Sequence, residues 1–218
     1  MKALVTGATG FVGSHVVDVL AARGDDVVVL ARSADRAAPL ARLGARVALG
    51  KLDDDAALAA AVAGADVVYH LAGLTAAVSE ADYHRVNEDG TRRLVQAVRA
   101  ASPGPRLVYV STQAVLGPSV PGQALDEGAP CRPLTAYGRS KLAGEAVVRA
   151  AVGLAWTIVR PPAVYGPRDR EFLKMFQLVR TGFAPVFGAG TQQISLVYAP
   201  DLAEAIVELI AADEAFRG

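Results

Sequence analysis

The chain is expected to fold as an α/β domain: a doubly wound parallel sheet with helices on both faces, followed by a small C-terminal lobe. Three observations predict this. Short apolar runs alternate with helical patterns along most of the 218 residues. Those runs are apolar at successive positions, as strands buried on both faces are. The first run ends in a glycine-rich turn that opens a helix. Right-handed crossovers between parallel strands then favour the doubly wound arrangement.

Residues 2–7, KALVTG, form the first expected strand, and 11–23 carries the spacing of a helix. DVVVLAR (26–32) and ARVALG (45–50) are the second and third strands, with helical patterns at 33–43 and 54–63. DVVYHLAG (66–73) is the fourth. The pattern at 83–101 leads to the fifth, RLVYVST (106–112), and that at 137–151 to the sixth, WTIVRPP (156–162). Repeated βα units of this kind argue for one parallel sheet. The Gly- and Pro-rich stretch 117–135 is a loop, either a lid or a surface excursion. Residues 1–165 are read as the sheet domain and 166–218 as a partial lobe with a returning helix.

Composition narrows the function classes. Lys+Arg and Asp+Glu are 22 each, so the net charge is zero. That leaves no electrostatic footprint for nucleic acid or an anionic membrane. The most apolar segment, 56–78, is broken by Gly64, Asp66 and His70, too interrupted for a membrane span. The N-terminus lacks a signal-peptide pattern. The lone cysteine, Cys131, has no partner for an internal disulfide, and a cytoplasmic setting is expected. His15, His70 and His84 lack ligand spacing, so no metal site is expected.

TGATGFVG, residues 6–13, places glycines at 7, 10 and 13 between a strand and a helix. Such a turn lets backbone approach a pyrophosphate, and the helix offers free N–H groups and a positive dipole end. Gly7, Thr9, Gly10, Phe11, Val12 and Gly13 are the expected contacts. A tight βα turn without a ligand would look the same in isolation. The second strand ends in Ala31, where NAD proteins place an acid for the ribose 2′-hydroxyl. Arg32, Ser33 and Arg36 follow. An arginine fork matches a 2′-phosphate, so NADP(H) is favoured, with NAD(H) as the alternative if Arg32 is merely solvated. AYGRSK (136–141) sets Tyr137 and Lys141 four residues apart, about 5–6 Å at Cβ on one helix face. A nearby ammonium favours an ionised phenol, so Tyr137 is expected to exchange a proton near neutral pH.

TGATGFVG, HLAG, VSTQAVLG, YGRSK and RPPAVYGP occur together in an order and spacing that resembles the extended short-chain dehydrogenase/reductases, which include the NAD-dependent epimerase/dehydratase family. The resemblance covers nearly the whole chain. It implies a Rossmann fold and hydride transfer at a carbonyl or hydroxyl carbon of a small molecule. It makes Thr112 the catalytic hydroxyl, with Ser111 its rival, and gives Lys141 the nicotinamide ribose as well as Tyr137. It sets Leu71, Ala72 and Gly73 beneath the cofactor and Asp53 near the adenine, though Asp53, Asp54 or Asp55 could equally cap a helix. Pro161, Pro162 and Val164 fall beside the nicotinamide, and Asn87 props the central helix. Gln113 and Ala114 replace the acidic pair of the sugar dehydratases, which argues against dehydration. LVYAPDLA carries Tyr198 and Pro200 where relatives have His and Asp. Extended relatives continue into a further lobe, so the substrate pocket is expected to be incomplete. The resemblance also implies a homodimer through helices 83–101 and 137–151, whose LVQAV and LAGEAVV stripes are read as exposed. A nucleotide-sugar epimerase, and a catalytically silent NADP(H)-binding module, remain the alternatives to a carbonyl reductase.

Overall fold

The computed structural model describes residues 1–102, 104–120, 122–184, 190 and 193–211. The first units are β1 (Lys2–Thr6), α1 (Phe11–Ala22), β2 (Asp26–Ala31), α2 (Ala34–Ala41), β3 (Arg46–Leu49), α3 (Asp55–Val62) and β4 (Val67–His70). Next, α4 (Glu80–His84) passes through a π-helical turn (Arg85–Asp89) into α5 (Gly90–Ala100). β5 (Arg106–Val110), α6 (Ala136–Arg149) and β6 (Trp156–Val159) follow. β7 (Ala163–Tyr165), α7 (Glu171–Arg180), β8 (Leu196–Tyr198) and α8 (Ala199–Ala211) end the described chain.

Six strands form one parallel sheet in the order β3-β2-β1-β4-β5-β6. β7 and β8 make a separate parallel pair. The order reverses between β1 and β4, and ligands of such sheets bind outside the carboxyl ends at that switch point. There Thr6 lies in register with His70.

Strand alternation divides the core into two layers. Ala3 and Val5 face a cluster that takes Val16, Val17 and Leu20 from α1 and Leu202, Ile206 and Val207 from α8. Leu4 faces the other cluster, with Leu58 of α3, Leu94 and Val98 of α5 and Val148 of α6. Burying each such Val or Leu contributes roughly 1.5–3 kcal/mol, which is why runs apolar on both faces settle as central strands. α8 lies beyond residue 165 in sequence yet packs within the same core as α1.

The expected helix 83–101 is interrupted. The π-helical turn sits at its start and buries Asn87 completely. On α5, Leu94, Val95 and Val98 are all buried in the sheet core, while Arg92, Arg93, Gln96 and Arg99 are exposed. The reading of LVQAV as an exposed apolar stripe is therefore corrected: its aliphatic members cover β4 and β5. Among the described residues no helix is long and apolar enough to cross a membrane, and no cluster of three potential metal ligands occurs.

The turn after β7 is fastened to α1. The His15 Nε2–H donates to the Pro167 carbonyl (2.8 Å), and Arg168 pairs with Asp18 at 2.7 Å and donates to Ser14 at 3.0 Å. Arg168 adopts φ 73°, a left-handed conformation that those contacts hold in place. Tyr198 packs against Tyr165 with ring centroids 5.5 Å apart, so its ring serves the β7–β8 pair.

Candidate active site

The glycine turn closes as the sequence suggests. Gly7 has φ +74°, and a Cβ there would lie 2.5 Å from the Ala72 nitrogen, so the turn after β1 nests against the segment after β4. A Cβ on Gly13 would lie 2.3 Å from the Gly7 carbonyl oxygen, and the Gly10 N–H donates to that same oxygen at 2.9 Å. Gly10 starts α1 with no side-chain cap, and the first turn holds no acid. The N–H groups of Phe11, Val12 and Gly13 thus meet no competing anion. Thr9 and Gly10 sit at the open side of the turn. This cradle fits a pyrophosphate.

At the end of β2, Ala31 is buried and Arg32 and Arg36 are exposed. Ser33 caps α2, its hydroxyl accepting the Arg36 N–H at 3.4 Å. Its own hydroxyl proton can still be donated. At α3 the cap is Asp54, which accepts the Ala57 N–H at 3.0 Å, and Arg93 takes Asp55 at 2.9 Å. Asp53 is left exposed beside them.

A directional hydrogen-bond chain underlies the switch point. The Ala72 N–H donates to Thr6 Oγ1 at 3.3 Å, and Thr6 Oγ1 meets His70 Nδ1 at 2.7 Å. His70 Nε2 meets Thr91 Oγ1 at 2.9 Å, and Thr91 donates to the Asn87 carbonyl at 2.7 Å. Because Thr91 gives away its proton, it accepts from Nε2–H, and Nδ1 accepts from Thr6. The wholly buried ring is therefore neutral, and burial, with Lys141 nearby, lowers its pKa to about 3.

Asn87 is the hub of the site. Its Oδ1 accepts the Leu74 N–H at 2.7 Å, and its Nδ2 donates to the Leu74 carbonyl at 3.0 Å and to Ser140 Oγ at 2.9 Å. Ser140 in turn donates to the Tyr137 carbonyl at 2.8 Å. The π-helical turn thus binds the loop after β4 to the first turn of α6. Helix α6 starts at Thr135, whose hydroxyl accepts the Gly138 N–H. It approaches β5 closely at Gly144, where a Cβ would lie 2.2 Å from the Tyr109 hydroxyl.

Thr112, just after β5, and Tyr137, in the first turn of α6, lie near enough for the Thr112 hydroxyl to favour the ionised Tyr137 phenol. Thr112 Oγ1 also accepts the Ala114 N–H at 3.2 Å, so its proton is available to a ligand. Ser111 is buried near the Glu145 carboxylate and does not line the cavity. The Tyr137 ring packs beside Tyr83, 6.1 Å between centroids. Burial pushes the Tyr137 phenol up, Thr112 pulls it down in part, and Tyr83 adds a small upward push. The expectation of a phenol acidified by Lys141 is thus corrected in direction. The Lys141 ammonium lies over the Tyr109 ring at 4.2 Å, and a Cβ on Gly73 would lie 3.8 Å from it. Burial lowers Lys141 to about 7, against a partial upward pull from Glu145.

This gives a first prediction. In the coenzyme-free chain, carbon-13 NMR of the Lys141 Cε should titrate with a midpoint near 7. An unfolded lysine retains its proton up to about 10.4. The unfolded state therefore binds more protons across that window, and stability should rise with pH from about 7 to 10. A midpoint near the ordinary lysine value contradicts this placement of the ammonium.

Sequence reasoning missed Ser140, Tyr83, Tyr109 and the buried pair Glu145–Arg160. Arg160 donates to both Glu145 oxygens, at 2.9 and 2.6 Å, and to the Cys131 sulfur at 3.3 Å. Glu145 lies one helical turn past Lys141, a spacing that could have flagged it. Pro161 is buried and its carbonyl accepts the Gln113 N–H at 2.9 Å, fixing β6 to the Thr112 segment. Leu71, Ala72, Pro162 and Val164 are half-buried, and Gly73 is exposed.

A sheet of order 3-2-1-4-5-6 with a glycine cradle at its switch point defines the Rossmann class, a fold on which dinucleotides bind at that point. The chain belongs to the NAD dependent epimerase/dehydratase family, whose model matches residues 3–217. It is 40% identical to a ceramide reductase of Caulobacter vibrioides over 93% of this chain and 59% of that protein. It is 37% identical to a 4-hydroxy-2-methyl-3-oxo-4-farnesyl-3,4-dihydroquinoline-1-oxide ketoreductase of Stigmatella aurantiaca, over 83% of this chain and 56% of that one. The chain therefore spans less than two thirds of the length of these curated relatives. Among solved structures, UDP-glucuronic acid 4-epimerase from Bacillus cereus, in complex with UDP-glucuronic acid and NAD, superposes with a TM-score of 0.86. It is 26% identical, over all of this chain and 76% of that one.

Proposed function

We propose that the chain carries the coenzyme-binding and proton-transfer parts of an NADP(H)-dependent oxidoreductase that reduces the ketone of a small molecule. The observation that carries this reading is Thr112, which lines a cavity of about 790 Å³ and lies near the Tyr137 phenol. The coenzyme, held by the glycine cradle, supplies the hydride. Tyr137 holds its proton at neutral pH, because burial keeps the phenol above its ordinary range. It is therefore set to donate that proton to a carbonyl oxygen as negative charge develops there. Thr112 offers a second hydrogen bond to the same oxygen. Lys141 is assigned to the nicotinamide ribose. The two curated relatives named above are reductases by name, which supports reduction over epimerisation. Epimerisation of a nucleotide sugar would use the same three residues and is favoured by the likeness to the Bacillus cereus epimerase.

NADP(H) is proposed over NAD(H) because no acid stands at Ala31 and Arg32 is exposed beside the Ser33 cap. A charge-assisted contact of about 1.5–3 kcal/mol predicts NADP(H) binding roughly tenfold or more tighter. Ala31→Asp with Arg32→Leu should reverse the preference by adding repulsion and removing the donor. Calorimetry with both coenzymes checks this, and equal wild-type affinities would mean Arg32 serves another purpose.

A homodimer through α5 and α6 is also proposed, on a face that keeps Val147 and Ala150 beside Arg92 and Gln96. Sedimentation at tens of micromolar, an order-of-magnitude working range, should show the dimer; a monomer there counts against it. The lone thiol supports a cytoplasmic setting.

A further inference from the structure

The geometry points to an uncharged ketone with an apolar chain as the ligand of the cavity beside Thr112, with a wall that disfavours anions such as nucleoside diphosphates; this rests on the reductase reading. The cavity reaches Thr112, the hydroxyl beside Tyr137, with Gln113 next to it in the lining. Its described lining contains no Asp, Glu, Lys, Arg or His. The sequence extends the pattern. None of residues 107–125 and none of residues 181–200 is charged or a histidine, although one fifth of the whole chain is charged. Described members of those two stretches, with Pro162 and Ala163, supply the wall.

An anion entering such a wall loses hydration and gains no counter-charge, which is costly. A neutral molecule does not meet that penalty. Leu116, Leu125 and Ile194 offer apolar surface along the wall. Gln113, Gln123 and Gln193 offer amides that donate to and accept from hydroxyl, amide or ester groups. Leu125 and Ile194 are 41% and 72% exposed, so apolar surface continues out to solvent, as a chain longer than the cavity requires.

The test uses a matched pair, methyl 3-oxododecanoate and 3-oxododecanoate, which share a ketone and chain and differ in one charge. Calorimetry on the 218-residue chain saturated with NADP+, with UDP-glucose as a third ligand, reads binding without turnover. The ester should bind about tenfold or more tighter than the carboxylate or UDP-glucose. Ser119→Lys, at an exposed polar position of the wall, adds a cation without removing apolar surface and should narrow the ester's preference over the carboxylate about tenfold. Equal affinities for the pair, tighter binding of UDP-glucose, or no ester binding at about 1 mM overturns the inference. If the ester binds but is not reduced when NADPH replaces NADP+, the reductase reading fails and the ligand class stands.

Discussion

Tyr137→Phe should lower turnover by about 10²–10⁴-fold and leave coenzyme affinity unchanged, since general acid–base catalysis is worth that much. The substitution removes one oxygen. The ring remains packed beside Tyr83. The contact that orients the start of α6 runs from Ser140 to the Tyr137 main-chain carbonyl, so Phe retains it. The glycine cradle lies on other elements and is untouched. Lys141→Ala should instead weaken both coenzyme binding and turnover, because its ammonium is assigned to the ribose. Steady-state rates alongside calorimetric coenzyme affinity separate the two variants. Full activity of Tyr137→Phe on a verified substrate would remove the phenol from the chemistry.

Arg160→Met should destabilise the fold by up to about 3–5 kcal/mol, the cost of breaking a buried ion pair, since the cation then left to Glu145 is Arg149, 3.7 Å away. Glu145 has no exposed side-chain surface, and Arg160 is 15% exposed. Burial pushes the Glu145 carboxyl upward, but Arg160, with Ser111 and Arg149, outweighs burial and holds it below its ordinary range. The pair's contribution is therefore present above pH about 4.3 and is lost as pH falls through the lower folded value. Against a total stability of about 5–15 kcal/mol, such a loss is severe. Glu145→Leu combined with Arg160→Met should recover most of it, since an apolar replacement leaves no orphan charge. Urea unfolding of wild type, single and double variants at neutral pH measures this. A single-variant cost under about 1 kcal/mol would mean that Glu145 finds another partner or water.

The fold was legible because parallel strands buried on both faces write themselves as continuous apolar runs. Val27, Val28, Val29 and Leu30 serve both core layers in turn, and the sequence records no alternation. The tight turn after β1 was legible because Gly7 and Gly13 each meet backbone where a Cβ would stand. What stayed hidden depends on contacts far apart in the chain. Glu145 meets Arg160 across the α6–β6 connection, and His70 lies between Thr6 and Thr91. Spacing placed Tyr137 and Lys141 on one face but not their side-chain directions. Lys141 lies over Tyr109, and burial governs the Tyr137 phenol, so proximity at Cβ misjudged the sign of the pKa shift. The exposed stripe assigned to α5 failed for a related reason. Helical periodicity marks an apolar face without saying whether it meets the sheet or a partner.

Deuterium transfer tests the central claim most directly. The chain is incubated with NADPH deuterated at both C4 hydrogens of the nicotinamide and a neutral keto ester, and the product is analysed by mass spectrometry. One deuterium is expected on the new carbinol carbon with wild type, and little or none with Tyr137→Phe over the same interval. Label appearing equally with both proteins, or unlabelled alcohol from wild type, would contradict it.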